Sequence, residues 1–277
     1  MKLKVLVDNN TITDRYFYGE PGVSYLIEDE GKKILFDLGY SDVFIKNAKR
    51  LEEDLKDLDF VVVSHGHLDH TWGLKHLIAK FNEWETEKIN YKKPKLVAHP
   101  LVFNYKELKG RCIGSIIGKE VLENFFELKF TKEPLWLTEN LVFLGEIERT
   151  NSFENIDSLG DIFIDTRMRD DYLLDDSALA YKNDKGTFVI TGCSHAGICN
   201  TIEYSKKITE KENIIDVIGG FHLLNPSENI ITETLNYLKE LKIEKAHPCH
   251  CVDLKSKIRI SKIVDIEEVG SGLIIEV

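Results

Sequence analysis

The chain has 277 residues, 43% of them hydrophobic and 30% charged, with a formal net charge of -11 and a pI near 5.4. That balance argues against nonspecific binding to nucleic acid or anionic membranes, and no apolar run approaches the length of a membrane span. Such a length and composition suit one large α/β domain over residues 1–277, able to fill a sizeable core.

The opening stretch MKLKVLVDNN is too short in its apolar part for a signal peptide and reads as a strand over Lys2–Val7. A cytoplasmic protein is therefore expected. Gly22–Glu28 and Lys33–Asp37 read as two further strands, joined by a hairpin-like turn at Asp29-Glu30-Gly31. A helix follows over Val43–Leu51, capped by Ser41 or Asp42. Leu58 brings the chain back to a short β-branched run, Phe60–Val63, and Trp72–Lys80 has apolar residues at helical spacing. Strand, helix and strand in this order imply layered α/β packing.

Between that strand and that helix lies the most informative stretch, His65-Gly66-His67-Leu68-Asp69-His70, an H-x-H-x-D-H motif. Imidazole nitrogen and carboxylate oxygen suit Zn, Fe or Mn. In an extended segment His65 and His67 project to the same side and reach one ion. The turn that follows brings Asp69 and His70 toward a second ion, while Gly66 allows close backbone approach. A single ion is the competing reading.

Pro94–Ala98 reads as another strand, ending in His99, which either faces the site as a ligand or substrate contact or is an ordinary surface histidine. Residues from about 101 to 181 are less regular. They contain the charged run Arg167-Met168-Arg169-Asp170-Asp171 and could close over a substrate, with arginines to hold a phosphate. Thr187–Thr191 reads as a strand, followed by a turn holding His195 and a helix from about Ile198. Asp216–Gly219 and Lys245–Pro248 are two more strands, ending near His222 and His250. Three later strand ends thus each deliver a histidine. The five cysteines read as reduced thiols. Cys249-His250-Cys251 offers soft donors but is not read as a separate metal site, because C-x-C lacks the spacing of a zinc knuckle and no second C-x-x-C accompanies it.

The stretch Phe60–Leu74 resembles the signature of the metallo-β-lactamase superfamily, and Gly22–Ile27, Ile34–Gly39 and Asn47-Ala48 follow one another as in that superfamily's N-terminal half. Thr191-Gly192-Cys193-Ser194-His195-Ala196-Gly197-Ile198, Gly219–Leu223 and His250-Cys251 resemble one branch of it. That branch is named after 7,8-dihydropterin-6-methyl-4-(β-D-ribofuranosyl)aminobenzene-5′-phosphate synthase. The resemblance implies a four-layer αββα sandwich with metals at the edge between two sheets. It also implies two divalent transition ions, Zn first and Fe or Mn as alternatives, held by His65, His67, Asp69, His70, His195 and His250. His222 is the alternative to His195 or a residue facing substrate, and Asp37 supports the metal loop from behind.

Two departures stand out: no GHTxGH stretch is present, and the later T-G strand end lacks the superfamily's bridging aspartate, reading Thr191-Gly192-Cys193 instead. The resemblance implies a metal-dependent hydrolase or transferase in which Asp69 handles the proton of the attacking group. The substrate would be a phosphorylated or pterin-like small molecule. Two readings from other classes are a di-iron redox or oxygen-handling protein and a binding or sensor protein with structural metal.

Overall fold

The computed structural model describes residues 1–243 and 245–277. Its architecture is built on two seven-stranded sheets. The first runs, edge to edge, through Ile274–Glu276, Lys2–Val7, Ser24–Asp29, Lys32–Phe36, Phe60–Val62, Lys95–Ala98 and Glu127–Phe130. Its first four strands pair antiparallel, and from Lys32–Phe36 onward the pairing is parallel. The second runs through Asp265–Ile266, Lys245–Pro248, Ile214–Gly219, Gly186–Thr191, Ala178–Asn183, Leu141–Phe143 and Leu135–Trp136. There the first four strands are parallel and the last three pair antiparallel.

Three apolar layers show how the sheets stack. One joins Val61, Val63, Leu96 and Ala98 of the first sheet to Phe44, Leu74, Leu77, Phe81 and Leu122 of the helices Val43–Arg50, Leu74–Thr86 and Lys119–Phe125. A second lies between the sheets and holds Tyr25, Phe36, Val62 and Val97 against Phe143, Phe188, Ile190 and Ile218. The third packs Val189, Val217 and Ala246 on the helices Ile198–Thr209, Glu228–Leu241 and Leu254–Ile260 through Ile202, Ile231, Leu238 and Ile260. This is the αββα order. Phe60–Val63 is apolar without alternation because Val61 and Val63 face the helices while Val62 faces the other sheet.

Most predicted elements fall within two or three residues of the observed ones. The hairpin is a two-residue turn: Asp29 pairs with Lys32, and Glu30 and Gly31 both have positive φ. The helix of the metal loop is divided in two, Leu68–Thr71 and Leu74–Thr86; at the junction the Gly73 N–H donates to the Gly39 carbonyl at 3.2 Å, and a Cβ on Gly73 would lie 2.1 Å from the Leu38 carbonyl oxygen, so only glycine fits there. Residues 101–181 are more regular than their sequence suggested. They form the helix Lys119–Phe125, three strands of the second sheet and a separate antiparallel sheet of Arg167–Asp170, Asp161–Ile164, Lys106–Leu108 and Arg111–Cys112. Arg167 and Arg169 lie on the exposed edge strand of that small sheet, with Arg169 3.4 Å from Asp165. No helix among the described residues is long and apolar enough to cross a membrane.

Candidate metal centre

Four loops meet at the carboxyl ends of parallel strands, where open α/β sheets usually place their ligands. They follow Val62, Thr191, Gly219 and Pro248, and near each turn a residue other than glycine sits in the left-handed region: Asp37 in the supporting turn (φ 56°), Ser194 (58°), His222 (53°) and His250 (53°). Each costs roughly 1–3 kcal/mol of local strain, so the surrounding packing must over-determine these turns.

In the first loop the Asp37 carboxylate does most of the positioning. Its oxygens accept from the Ser64 backbone N–H at 2.7 Å, from Ser64 Oγ at 2.7 Å and from His70 Nδ1 at 2.7 Å. Since the Ser64 hydroxyl proton goes to Asp37, the 2.9 Å contact between Ser64 Oγ and His65 Nδ1 requires the imidazole to be the donor. That tautomer leaves the lone pair on His65 Nε2, which faces His67 Nδ1 at 3.1 Å. Gly66 is required here, because a Cβ would lie 2.3 Å from the Val102 carbonyl oxygen. Its N–H donates to Asp175 Oδ2 at 2.8 Å, and Asp175 is ion-paired at 2.9 Å with the fully buried Lys106, which also holds Asp171 at 2.6 Å.

The ligand-type atoms converge into two main groups. The inner group is His65, His67 and His195, all buried, with the ligand atoms within 4.8 Å of one another. His67 Nε2 and His195 Nε2 are buried without any hydrogen-bond partner. Burial pushes the basicity of His65 and His195 well below the ordinary range and that of His67 down to about 4. Three neutral imidazoles facing one another, two of them with an unpartnered buried nitrogen, fit a cation far better than they fit an empty polar pocket.

The outer group is Asp69, His70 and His250. Asp69 Oδ2 lies 3.8 Å from His70 Nε2 and 3.4 Å from His250 Nε2. Burial would lower His70, but the carboxylates of Asp37 and Asp69 raise it to about 9. A field that favours a proton there also favours a metal cation, which would displace it. Burial would raise Asp69, yet His70 and His250 hold its carboxyl well below the usual carboxylate range. His250 is oriented from the other end of the chain. Its backbone N–H donates to Asp8 Oδ2 at 3.1 Å, and its Nδ1 to Asn9 Oδ1 at 2.9 Å, leaving Nε2 toward the centre.

The structure thus brings His65, His67, Asp69, His70, His195 and His250 together, with Asp37 behind them. His222 is exposed, its ring 4.3 Å from His195, and belongs to neither group. His99 is fully buried and has both nitrogens occupied, Nε2 by Glu146 at 3.0 Å and Nδ1 by the Leu101 N–H at 3.2 Å. It joins no group of ligand-type atoms among the described residues.

Sequence reasoning missed several residues at this centre. Cys193 Sγ lies 3.3 Å from His70 Nε2 and 3.1 Å from His250 Nε2, between the two groups. Cys251 turns its thiol to the Cys193 carbonyl at 3.4 Å. Asp176, pushed up to about 7 by burial, points an unpartnered Oδ1 to within 4.0 Å of His65 Nδ1. Two signals were available: Cys193 at the strand end where an aspartate was expected, and Cys251 in the C-x-C around His250.

Beside the centre opens a cleft of about 520 Å³ whose lining includes His67 and Asp69 together with Pro21, Tyr40, Leu68, Leu108, Ile113 and Leu159. Leu108, Ile113 and Leu159 come from residues 101–181, and the Ile113 carbonyl accepts the Leu68 N–H at 2.8 Å. A larger groove of about 670 Å³ near Met1, Glu28 and Val277 contains none of these ligand-type groups.

A sequence profile of the metallo-beta-lactamase superfamily matches residues 18–84. An uncharacterized protein of Methanocaldococcus jannaschii, MJ0448, is 33% identical over 264 residues, covering 94% of this chain and 94% of its own. The crystal structure of Tm1679, described as a metal-dependent hydrolase of the beta-lactamase superfamily, superposes with a TM-score of 0.83 at 28% identity, covering 100% of this chain and 99% of that one. The chain belongs to the metallo-β-lactamase superfamily. Within the superfamily it is also 29% identical, over 100% of its length and 96% of the relative's, to 7,8-dihydropterin-6-methyl-4-(beta-D-ribofuranosyl)-aminobenzene-5'-phosphate synthase of the same archaeon. Members of this fold family bind divalent metals, and the groups described above are this superfamily member's candidates to do so.

Proposed function

We propose that the protein is a metal-dependent enzyme acting on a phosphorylated or pterin-like small molecule, by hydrolysis or by the transfer reaction for which the dihydropterin relative is named. One observation carries the reading: the inner and outer ligand groups reach the same apolar cleft, through His67 and Asp69. Structural metal sites are closed, whereas catalytic ones keep access for water or substrate.

His65, His67 and His195 would hold one ion and Asp69, His70 and His250 the other, Zn first and Fe or Mn as alternatives. Bound there, the metals would lower the pKa of water toward neutrality and polarise a phosphoryl oxygen. Asp69, held ionised by its two histidine neighbours, accepts the proton of the attacking water or amine. Tyr40, Leu108, Ile113 and Leu159 present an apolar wall that excludes water and suits a flat ring. No lysine or arginine lines the cleft among the described residues. A phosphate or diphosphate would therefore have to place its charge against the metal groups, not the walls, which puts the ring in the cleft and the leaving group at the centre. The synthase name of one relative supports transfer, and the hydrolase description of Tm1679 supports hydrolysis.

The test is metal analysis of protein purified without added metal, followed by assay with phosphoesters, lactones and the synthase substrate pair, a dihydropterin methyl diphosphate and an aminobenzene ribofuranosyl phosphate. We expect close to two metal equivalents per chain at saturation and turnover of at least one of these classes. Saturation at one equivalent that His70→Ala leaves unchanged would overturn the two-ion arrangement, and full loading with no turnover of any class would overturn the enzymatic reading.

A further inference from the structure

The cleft beside the metal centre has one phenol ring in its lining among the described residues, that of Tyr40. Tyr40 sits in the turn 38–41, which is fastened to the metal loop at two points: the Leu38 N–H donates to the His70 carbonyl at 3.1 Å, and the Gly73 N–H to the Gly39 carbonyl at 3.2 Å. Glu20 closes the turn from the other side. Its Oε1 accepts from the backbone N–H of Tyr40 at 3.0 Å and of Ser41 at 2.9 Å. The Tyr40 backbone therefore cannot shift without moving His70.

The ring is held as firmly as the backbone. Its centroid lies 4.9 Å from that of Trp72 with the planes tilted by 33°, inside the range in which aromatic pairs attract each other. Trp72 is fixed in turn, donating from Nε1 to the Gly114 carbonyl at 2.9 Å, next to the bond by which the Leu68 N–H reaches the Ile113 carbonyl. These two bonds join the side of the cleft that carries Tyr40 and Leu68 to the side that carries Ile113. The spacing of the two sides is thereby set. Tyr40 still leaves 38% of its surface open. Apolar burial alone would be served by another aliphatic side chain such as Leu108 or Leu159, which line the same cleft. A tyrosine braced by a tryptophan offers a rigid π-face as well.

We infer that Tyr40 is the specificity-determining residue of the cleft, stacking on a planar conjugated ring of the substrate, so that the enzyme selects phosphorylated aryl or heteroaryl compounds over aliphatic phosphoesters. The inference rests on the functional reading above and deepens it by naming the residue that reads the ring and the substrate class it rejects. His67 and Asp69 line the same cleft. A ring on Tyr40 thus leaves its phosphoryl group at the metal-ligand end, and because Tyr40 and His70 share one hydrogen-bonded turn, the distance between the two subsites is built into the backbone.

The experiment measures calorimetric binding of 2-naphthylphosphonate and of its decahydro counterpart to the metal-loaded enzyme. Both carry the same anion and resist hydrolysis, but the saturated ring system presents more apolar surface, so burial alone favours it. Stacking favours the flat one. We expect wild type to bind the naphthyl compound about tenfold tighter, on the scale that stacking on an aromatic side chain supplies. Tyr40→Phe keeps the ring and should keep the preference. Tyr40→Leu and Tyr40→Met keep bulk without the π-face and should lose it, with metal content unchanged. Equal or reversed affinities in wild type, or a preference that survives in either aliphatic variant, would overturn the inference and leave the metal-dependent reading standing. Binding of neither phosphonate would overturn both. Two aliphatic variants are used so that one that fails to fold does not remove the test.

Discussion

The loop after Val62 and the loop after Pro248 both present ligand-type atoms at the carboxyl end of a parallel strand, but they are held in different ways. In the first, Asp37 on the turn after the neighbouring strand fixes Ser64 and His70 together. Asp175, itself clamped by buried Lys106, fixes Gly66 from below. The second is held from the far end of the chain, His250 bonding Asp8 and Asn9 across 242 and 241 residues. The difference teaches that the histidine loop belongs to one sheet and its immediate cover, whereas the outer, sulfur-bearing side of the centre forms only where the two sheets close on each other.

The largest expected effect tests the support under the first loop. Lys106→Met removes the cation and leaves Asp171 and Asp175 buried with no counter-charge, which should cost about 3–5 kcal/mol in a urea unfolding measurement. The pH dependence should invert as well. In the native protein burial raises the Asp175 carboxyl but Lys106 holds it below the ordinary range, so its contribution is present above the unfolded carboxylate pKa and lost as pH falls through the lower folded value. In the variant burial and the neighbouring Asp171 carboxylate outweigh the Gly66 N–H bond that remains, so the folded pKa lies above the unfolded one and stability falls as pH rises between them. Going from about pH 7 to about pH 5 should therefore narrow the gap between variant and wild type. A variant as stable as wild type at both values would show that the first loop does not depend on this pair.

Next in size is Asp69→Asn, which keeps shape but removes the anionic ligand and the proton acceptor together. At matched metal occupancy turnover should drop at least about a hundredfold, within the range of general acid-base catalysis. Equal turnover would leave Asp69 a structural residue. His195→Ala tests the inner group: metal content should fall while circular dichroism stays unchanged, and an unaltered affinity would move the role to His222.

The smallest pair compares the two supports directly. Asp37→Asn disturbs three contacts in the first loop and should lower metal affinity toward the upper end of about 10- to 100-fold, whereas Asn9→Ala removes one contact to His250 and should lie near the lower end. Competition with a chromophoric chelator measures both. Equal losses would erase the contrast between a locally held loop and a remotely held one.

Much of this protein was written locally in its sequence. The run Phe60–Val63 is buried on both faces, which makes it apolar throughout, and its abrupt end at His65-Gly66-His67 places ligand-type side chains by backbone geometry alone. The strand ends before His195 and His250 were legible for the same reason, since hydrophobic runs and turn residues report on neighbours a few positions away. What tertiary structure decided involves partners far apart. Cys193 meets His250 across 57 residues, Asn9 orients His250 across 241, and Asp175 reaches Gly66 across 109. None of these contacts has a period or a spacing. His99, at a strand end like the others, turned inward to Glu146, and a C-x-C that failed as a linear motif was split by a left-handed histidine, sending one sulfur into the core and the other to the centre. Sequence periodicity says which face of a strand is buried, but which loops meet at its end depends on how two sheets pack, and that is settled only when the whole chain has folded.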